Sequence, residues 1–109
     1  MKDNPNKYFQ YHLEDLHRNS AKKEFNYITF FAGGGGSSCG YKLAGGDVRY
    51  MNEFQQLHVD TYLENFPNTT HECRDIKEVT AEGIMELSGL KKYELDIMDG
   101  SPPCPPFSM

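Results

Sequence analysis

Four consecutive glycines, Gly33–Gly36, follow directly on a short apolar, β-prone run, Tyr27-Ile-Thr-Phe-Phe-Ala32. This junction restricts what the chain can fold into. A short apolar run closed by a turn reads as a buried strand, and glycines let the backbone turn sharply and let a ligand approach without a Cβ clash. Ser37 to Leu43 then reads as a helix ended by Gly45-Gly46, and Asp47 to Asn52 as a second strand. Glu53 to Phe66 carries Phe54, Leu57, Tyr62 and Leu63 at near-helical spacing, and Pro67 stops it. A short third strand falls near His71 to Cys73. Thr80 caps a helix holding Ile84, Met85 and Leu87. Leu95 to Met98 reads as a fourth strand, ended by a rigid loop, Asp99-Gly100-Ser101-Pro102-Pro103. Strands alternating with helices predict an α/β fold, a mostly parallel sheet of about four strands with flanking helices.

Upstream, residues 5–22 read as a polar helix, with Asn4 as its cap, Pro5 at its first position and a thin stripe of Phe9, Leu13 and Leu16. Residues 1–26 are therefore expected to be an N-terminal helical leader, on the surface or flexible, ahead of a domain over 27–109. The 109 residues suffice for one small domain, and 38% hydrophobic with 13% aromatic residues argues against a disordered chain. A net charge of −5 argues against a stand-alone nucleic-acid binder, which normally carries a basic patch. Three cysteines, Cys39, Cys73 and Cys104, with no C-x-x-C pair fit a reducing compartment. No membrane span or signal-peptide core is visible, so a cytoplasmic chain is expected. His58, His71, Cys73 and Cys39 match no common zinc spacing, and no metal is expected.

The low-complexity stretches are the four glycines and the proline-rich tail. Each sits just after a predicted strand, where open α/β sheets bind ligands. Glu53 ends the second strand roughly 20 residues after the glycines, where nucleotide-binding domains place a carboxylate for ribose hydroxyls. It also reads as a solvated carboxylate at a helix start. Asp75 follows the third strand and suits the exocyclic amine of an adenine, or a turn or cap. The glycine turn by itself reads equally as a flexible loop, and it is not the G-x-G-x-x-G of a nicotinamide site. Cys104 stands between Pro102-Pro103 and Pro105-Pro106. Such rigidity suits a nucleophile that must be aimed, although a proline-rich tail with an incidental cysteine has the same composition.

Together these segments resemble the cytosine-C5 DNA methyltransferase family. Phe31-Ala32-Gly33-Gly34-Gly35-Gly36 resembles its first motif, F-A-G-x-G-G, which wraps the methionine part of S-adenosylmethionine. Asn52-Glu53-Phe54 resembles the second, whose Glu binds the cofactor ribose, and Asp75-Ile76 the third, whose Asp contacts the adenine amine. Pro103-Cys104 with Phe107-Ser108 resembles the fourth, P-C-x-x-F-S, which carries the nucleophile. Order and spacing agree from about residue 27 to the last residue. The resemblance implies part of a Rossmann-like S-adenosylmethionine-dependent methyltransferase fold. It implies a cofactor site of Phe31, Ala32, Gly33, Gly35, Gly36, Glu53, Phe54, Asp75, Ile76 and Pro103, with Cys104 as the catalytic residue. The implied partner is double-stranded DNA with a flipped cytosine, in a bacterial or phage-type host cytoplasm.

Two positions depart from the family pattern: Thr29 stands where an Asp is usual, and Pro105 where a Gln is frequent. The family's E-N-V glutamate, arginine motif, target-recognition region and late Asn motif follow the cysteine, and none occurs in these 109 residues. The expectation is a fragment inactive alone, with a cofactor-binding remnant or one half of a split enzyme as alternatives. The fourth strand would then be an unpaired apolar edge, predicting self-association or pairing with a complementary chain.

Overall fold

The computed structural model describes residues 10–102. Its elements are α1 Leu13–Ser20, β1 Phe25–Phe30, α2 Gly36–Leu43, β2 Gly46–Asn52, α3 Gln56–Asn65, β3 His71–Glu72, a 3-10 turn Ile76–Glu78, α4 Ala81–Ser88 and β4 Ile97–Gly100. The strands pair in the order β3-β2-β1-β4, all parallel. The α/β reading of the sequence therefore holds. From β1 the chain steps outward to β2 and β3, then returns across the sheet to place β4 on the other side of β1. The strand order reverses between β1 and β4, the switch point at which open α/β sheets bind ligands.

Successive strand residues face opposite sides of the sheet, and the core divides accordingly. On one side Met51 packs with Leu16 of α1, Tyr62 of α3 and Phe66, backed by Ala32, Cys39 and Leu43. On the other, Tyr50 and Ile28 pack with Leu90, backed by Phe30, Val79, Ile84 and Leu95. Helices α1, α2 and α3 thus cover one face and α4 the other. The start of β2 is tight: a Cβ on Gly46 would lie 2.7 Å from the Phe25 ring and 2.9 Å from the Tyr41 carbonyl oxygen.

Four elements differ from the sequence reading, each for a physical reason. Helix α1 starts at Leu13, where the Asp15 carboxylate accepts the His12 backbone N–H at 2.8 Å. Asn4, Pro5 and Phe9, expected to start the helix, lie outside the described residues. Nor is α1 only a surface element, since Leu16 is 1% exposed within the core. Helix α3 begins three residues after Glu53, because that carboxylate turns back to accept the Gln55 N–H at 2.9 Å. Its inward side is Val59 and Tyr62, continued by Phe66, whereas Phe54 and Leu57 of the expected stripe are 64% and 73% exposed. Strand β1 stops at Phe30 because Phe31 takes a left-handed conformation. Strand β4 lies two residues later than expected, its register set by Tyr27 opposite Ile97 and Phe30 opposite Gly100. The helix capped by Thr80 is as expected: its Oγ1 accepts the Gly83 N–H at 3.0 Å.

Three buried tyrosines give the fold a signature at high pH. Burial raises the phenols of Tyr27, Tyr50 and Tyr62 above their ordinary 10.0. An unfolded chain would ionise near 10 while the folded phenols stay neutral. Stability is therefore fully present below pH 10 and falls as pH rises through the folded values. The Tyr27 hydroxyl is also buried with no hydrogen-bond partner among the described residues. Tyr27→Phe removes that group without a cavity, so it should stabilise the fold by about 1 kcal/mol and flatten the alkaline decline. Urea midpoints measured from pH 7 upward for both proteins check both effects.

Candidate functional site

A cleft of about 430 Å³ opens beyond the C-terminal ends of β1, β2 and β3, lined by Phe31, Gly33, Glu53, Phe54, Gln55, His58, Asp75, Ile76 and Ser101. Its volume lies within the roughly 300–1,000 Å³ of small-molecule sites. It is built outward from the strand ends. At Phe31 (φ 54°) the chain leaves β1 in a conformation costing a non-glycine residue about 1–2 kcal/mol. Ala32 N–H still reaches the Asn52 carbonyl at 3.2 Å, and Gly35 N–H closes the turn on the Ala32 carbonyl at 3.1 Å. Gly33 (φ 56°) lies between them, and a Cβ there would meet no atom within 4 Å. Its backbone N–H donates to Glu53 Oε1 at 2.8 Å.

Glu53 joins the glycine turn to β2. The residue is 7% exposed. One carboxylate oxygen accepts the Gly33 N–H and the other the Gln55 N–H at 2.9 Å, with His58 Nδ1 3.5 Å from Oε2. A carboxylate offers about four acceptor positions. Two backbone donors therefore fix its orientation and leave capacity for hydroxyl groups in the cleft. Asn52, buried at the end of β2, donates through Nδ2 to the carbonyls of Glu72 and Arg74, both at 3.0 Å. That clamp positions the loop carrying Asp75. Asp75 Oδ1 accepts the Lys77 N–H at 2.9 Å, capping the 3-10 turn, while Oδ2 has no hydrogen bond among the described residues. Asp75 thus both caps a turn and lines the cleft.

The cleft brings together Phe31, Gly33, Glu53, Phe54, Asp75 and Ile76, six of the sequence candidates. Three others take different places. Ala32 packs against the core, Gly35 (φ 103°) backs onto the Tyr62 and Phe66 rings, and Gly36 opens α2. Pro103 and Cys104 lie outside the described residues, as do Pro105, Phe107 and Ser108. Ser101, just past β4, lines the same cleft. Gln55 and Ser101 were not singled out as site residues from the sequence, and His58 was weighed only as a zinc ligand. Helical spacing places His58 near the first turn of α3, but nothing local indicates that Glu53 folds back beneath it. The signal for Asn52 is a polar side chain ending an otherwise apolar strand. At the departure noted in β1, the Thr29 hydroxyl donates to Asp99 Oδ2 on β4 at 3.3 Å, so a carboxylate stands beside position 29 after all.

Residues 25–109 match the profile of C-5 cytosine-specific DNA methylases. The chain belongs to this family. Every cleft-lining residue of this methylase-family chain falls within the matched span, and α1 precedes it. The type II methyltransferase M.XorII of Xanthomonas oryzae pv. oryzae is 33% identical over 82 residues, covering 75% of this chain and 19% of that protein. M.SacI of Streptomyces achromogenes is 31% identical over 97 residues, covering 78% of this chain and 25% of that protein. M.HgiGI of Herpetosiphon aurantiacus is 35% identical over 81 residues, covering 74% and 60%. No solved structure matches the chain. The four-stranded parallel sheet is consistent with part of the Rossmann-like methyltransferase fold. Among the described residues no group of three or more His, Cys, Asp or Glu is placed to hold a metal, and no helix is long and apolar enough to cross a membrane.

Proposed function

We propose that the cleft binds S-adenosylmethionine and that this chain forms the cofactor-binding part of a type II DNA cytosine-C5 methyltransferase, as the names of its relatives suggest. The observation that carries this reading is the Glu53 carboxylate, held by Gly33 and Gln55 with acceptor capacity facing the cleft. Glu53 takes the ribose hydroxyls, Asp75 Oδ2 takes the adenine amine, and Phe31 and Ile76 supply apolar surface for the base. The open space beside Gly33 leaves room for the methionine end to run along the turn towards β4. Phe54, Ala32, Gly35, Gly36 and Pro103 support this arrangement as the remaining cofactor-site positions.

The cofactor supplies an electrophilic methyl group. Cys104, which follows β4 in the sequence, is the nucleophile of the proposed reaction. Its thiolate adds to C6 of a cytosine turned out of the duplex. C5, made electron-rich by that bond, would take the methyl group as the S–CH3 bond breaks and its electron pair stays on sulfur, releasing S-adenosylhomocysteine. A base would then take the C5 proton, and the C–H electron pair would restore the ring double bond and expel the thiolate. The 109 residues contribute the cofactor grip and the nucleophile. The glutamate expected to stabilise the adduct is not among them, so the chain alone is proposed to bind the cofactor without methylating DNA.

Isothermal calorimetry on the 109-residue chain tests the binding half. S-adenosylmethionine and its demethylated product should bind saturably, because ribose and adenine carry the contacts, and a nicotinamide dinucleotide should not compete. Cys104→Ser should leave these affinities unchanged. Preferential binding of the dinucleotide, or no binding of either adenosyl compound, would contradict the assignment.

A further inference from the structure

A second pocket, of about 180 Å³, lies towards the other end of the strands, where α1, α2, the start of β2 and the loop after α3 meet. Its walls carry His17 of α1, Lys42 of α2, Asp47 and Val48 of β2, and Phe66 and Asn68 after α3. It shares no lining residue with the cleft beside Glu53.

Lys42 is the unusual member. It is 5% exposed, yet among the described residues its ammonium has no hydrogen bond and no ion pair, only the face of the Phe66 ring 4.6 Å away. Burial pushes the Lys42 amine below its ordinary pKa, and the Asp47 carboxylate offsets this only in part. A buried charge is costly unless it is paired, and a methionine would fill the same space without that cost. Asp47 lines the same pocket without forming an ion pair with Lys42, and the side chains of Asp47 and Asn68 have no hydrogen bond among the described residues.

The pocket thus offers one charge of each sign, held apart, with an aromatic face and an amide beside them. A lone anion would be drawn to Lys42 but repelled by Asp47, and a lone cation the reverse. A ligand with a carboxylate and an ammonium a few atoms apart satisfies both. The volume sets its size. It lies below the roughly 300–1,000 Å³ of sites for drug-sized ligands, which suits a small molecule and leaves no room for an adenosyl group.

We infer that this pocket binds a small α-amino acid, with its carboxylate on Lys42 and Asn68, its ammonium on Asp47 and its side chain against Phe66 and Val48.

An amide NMR titration of the 109-residue chain tests this with L-alanine as the probe. Propionate and ethylamine are the analogues that each lack one of its charges. L-Alanine should shift the Lys42, Asp47 and Asn68 amides along one saturation curve and leave Gly33 and Glu53 in place. Each analogue should bind at least about tenfold more weakly, since each forfeits a hydrogen bond to a charged group. Lys42→Met and Asp47→Asn should each weaken L-alanine binding by a similar factor. Both variants should bind S-adenosylhomocysteine as the parent chain does, which shows that they are folded and keeps this result separate from the cofactor proposal. Propionate binding as tightly as L-alanine, shifts that gather at Gly33 and Glu53, an Asp47→Asn protein that binds L-alanine like the parent, or no saturable shift at all would overturn the inference.

Discussion

Glu53→Ala should lower the affinity for S-adenosylmethionine about 100-fold while leaving a folded protein. Two hydrogen bonds from ribose hydroxyls to a carboxylate contribute about 1.5–3 kcal/mol each. Desolvation of a carboxylate already 7% exposed costs little more on binding, because two backbone N–H groups have already fixed it. A loss of about 3 kcal/mol corresponds to about two powers of ten in affinity. The orphaned N–H groups of Gly33 and Gln55 border the cleft and can be hydrated, so the fold should survive the change. Glu53→Gln keeps one acceptor oxygen and should fall between the two proteins. A ligand lacking both ribose hydroxyls makes the cycle decisive. The parent chain should bind it about 100-fold more weakly than the intact cofactor, and Glu53→Ala should scarcely distinguish the two. Equal losses for both ligands in the variant would assign Glu53 a structural role only.

Gly46→Val should leave little folded protein at 25 °C. Even alanine would place its Cβ 2.7 Å from two Phe25 ring carbons and 2.9 Å from the Tyr41 carbonyl oxygen. A ring can swing aside, but the carbonyl belongs to the backbone of α2 and cannot move without shifting that helix off β2. Overpacking of this kind costs about 1–3 kcal/mol for an added methyl group and more for a branched side chain. Small domains have only about 5–15 kcal/mol in total. Gly40→Ala is the contrasting change. That position is inside α2 and a Cβ there would meet nothing within 4 Å, so alanine should stabilise the helix by up to about 1 kcal/mol. Chemical denaturation followed by far-ultraviolet circular dichroism measures both variants. A Gly46→Ala protein as stable as the parent would show that α2 is not seated on the β1–β2 pair as described.

The glycine turn, Glu53 and Asp75 were legible because each depends on local order, a strand end followed by a turn. Their convergence was legible only through the spacing between them, since the three lie on separate strands that the parallel sheet brings side by side. The stripe of Phe9, Leu13 and Leu16 marked an apolar side of the first helix but not its depth. Leu16 enters the core while Leu13 stays 43% exposed, because burial depends on Met51, Tyr62 and Phe66 from distant segments. The α3 stripe was misjudged for a related reason: Phe54 has helical spacing to later apolar residues, but the return of the Glu53 side chain to the Gly33 N–H delays the helix beyond it. The span of β4 was displaced because register against β1, not local composition, sets strand ends. Leu95 resembles a strand residue in sequence yet packs in the α4-side core. His58 and Ser101 enter the cleft through tertiary placement alone.

The most direct test of the cofactor assignment is a two-dimensional amide NMR titration of the chain with S-adenosylmethionine. The account predicts a dispersed spectrum in which Gly33, Glu53, Gln55 and Asp75 shift together along one saturation curve, with His58 and Ser101 following. A dispersed spectrum in which those amides stay fixed, or in which the shifts gather around His17, Lys42 and Asn68 on another surface, would contradict it.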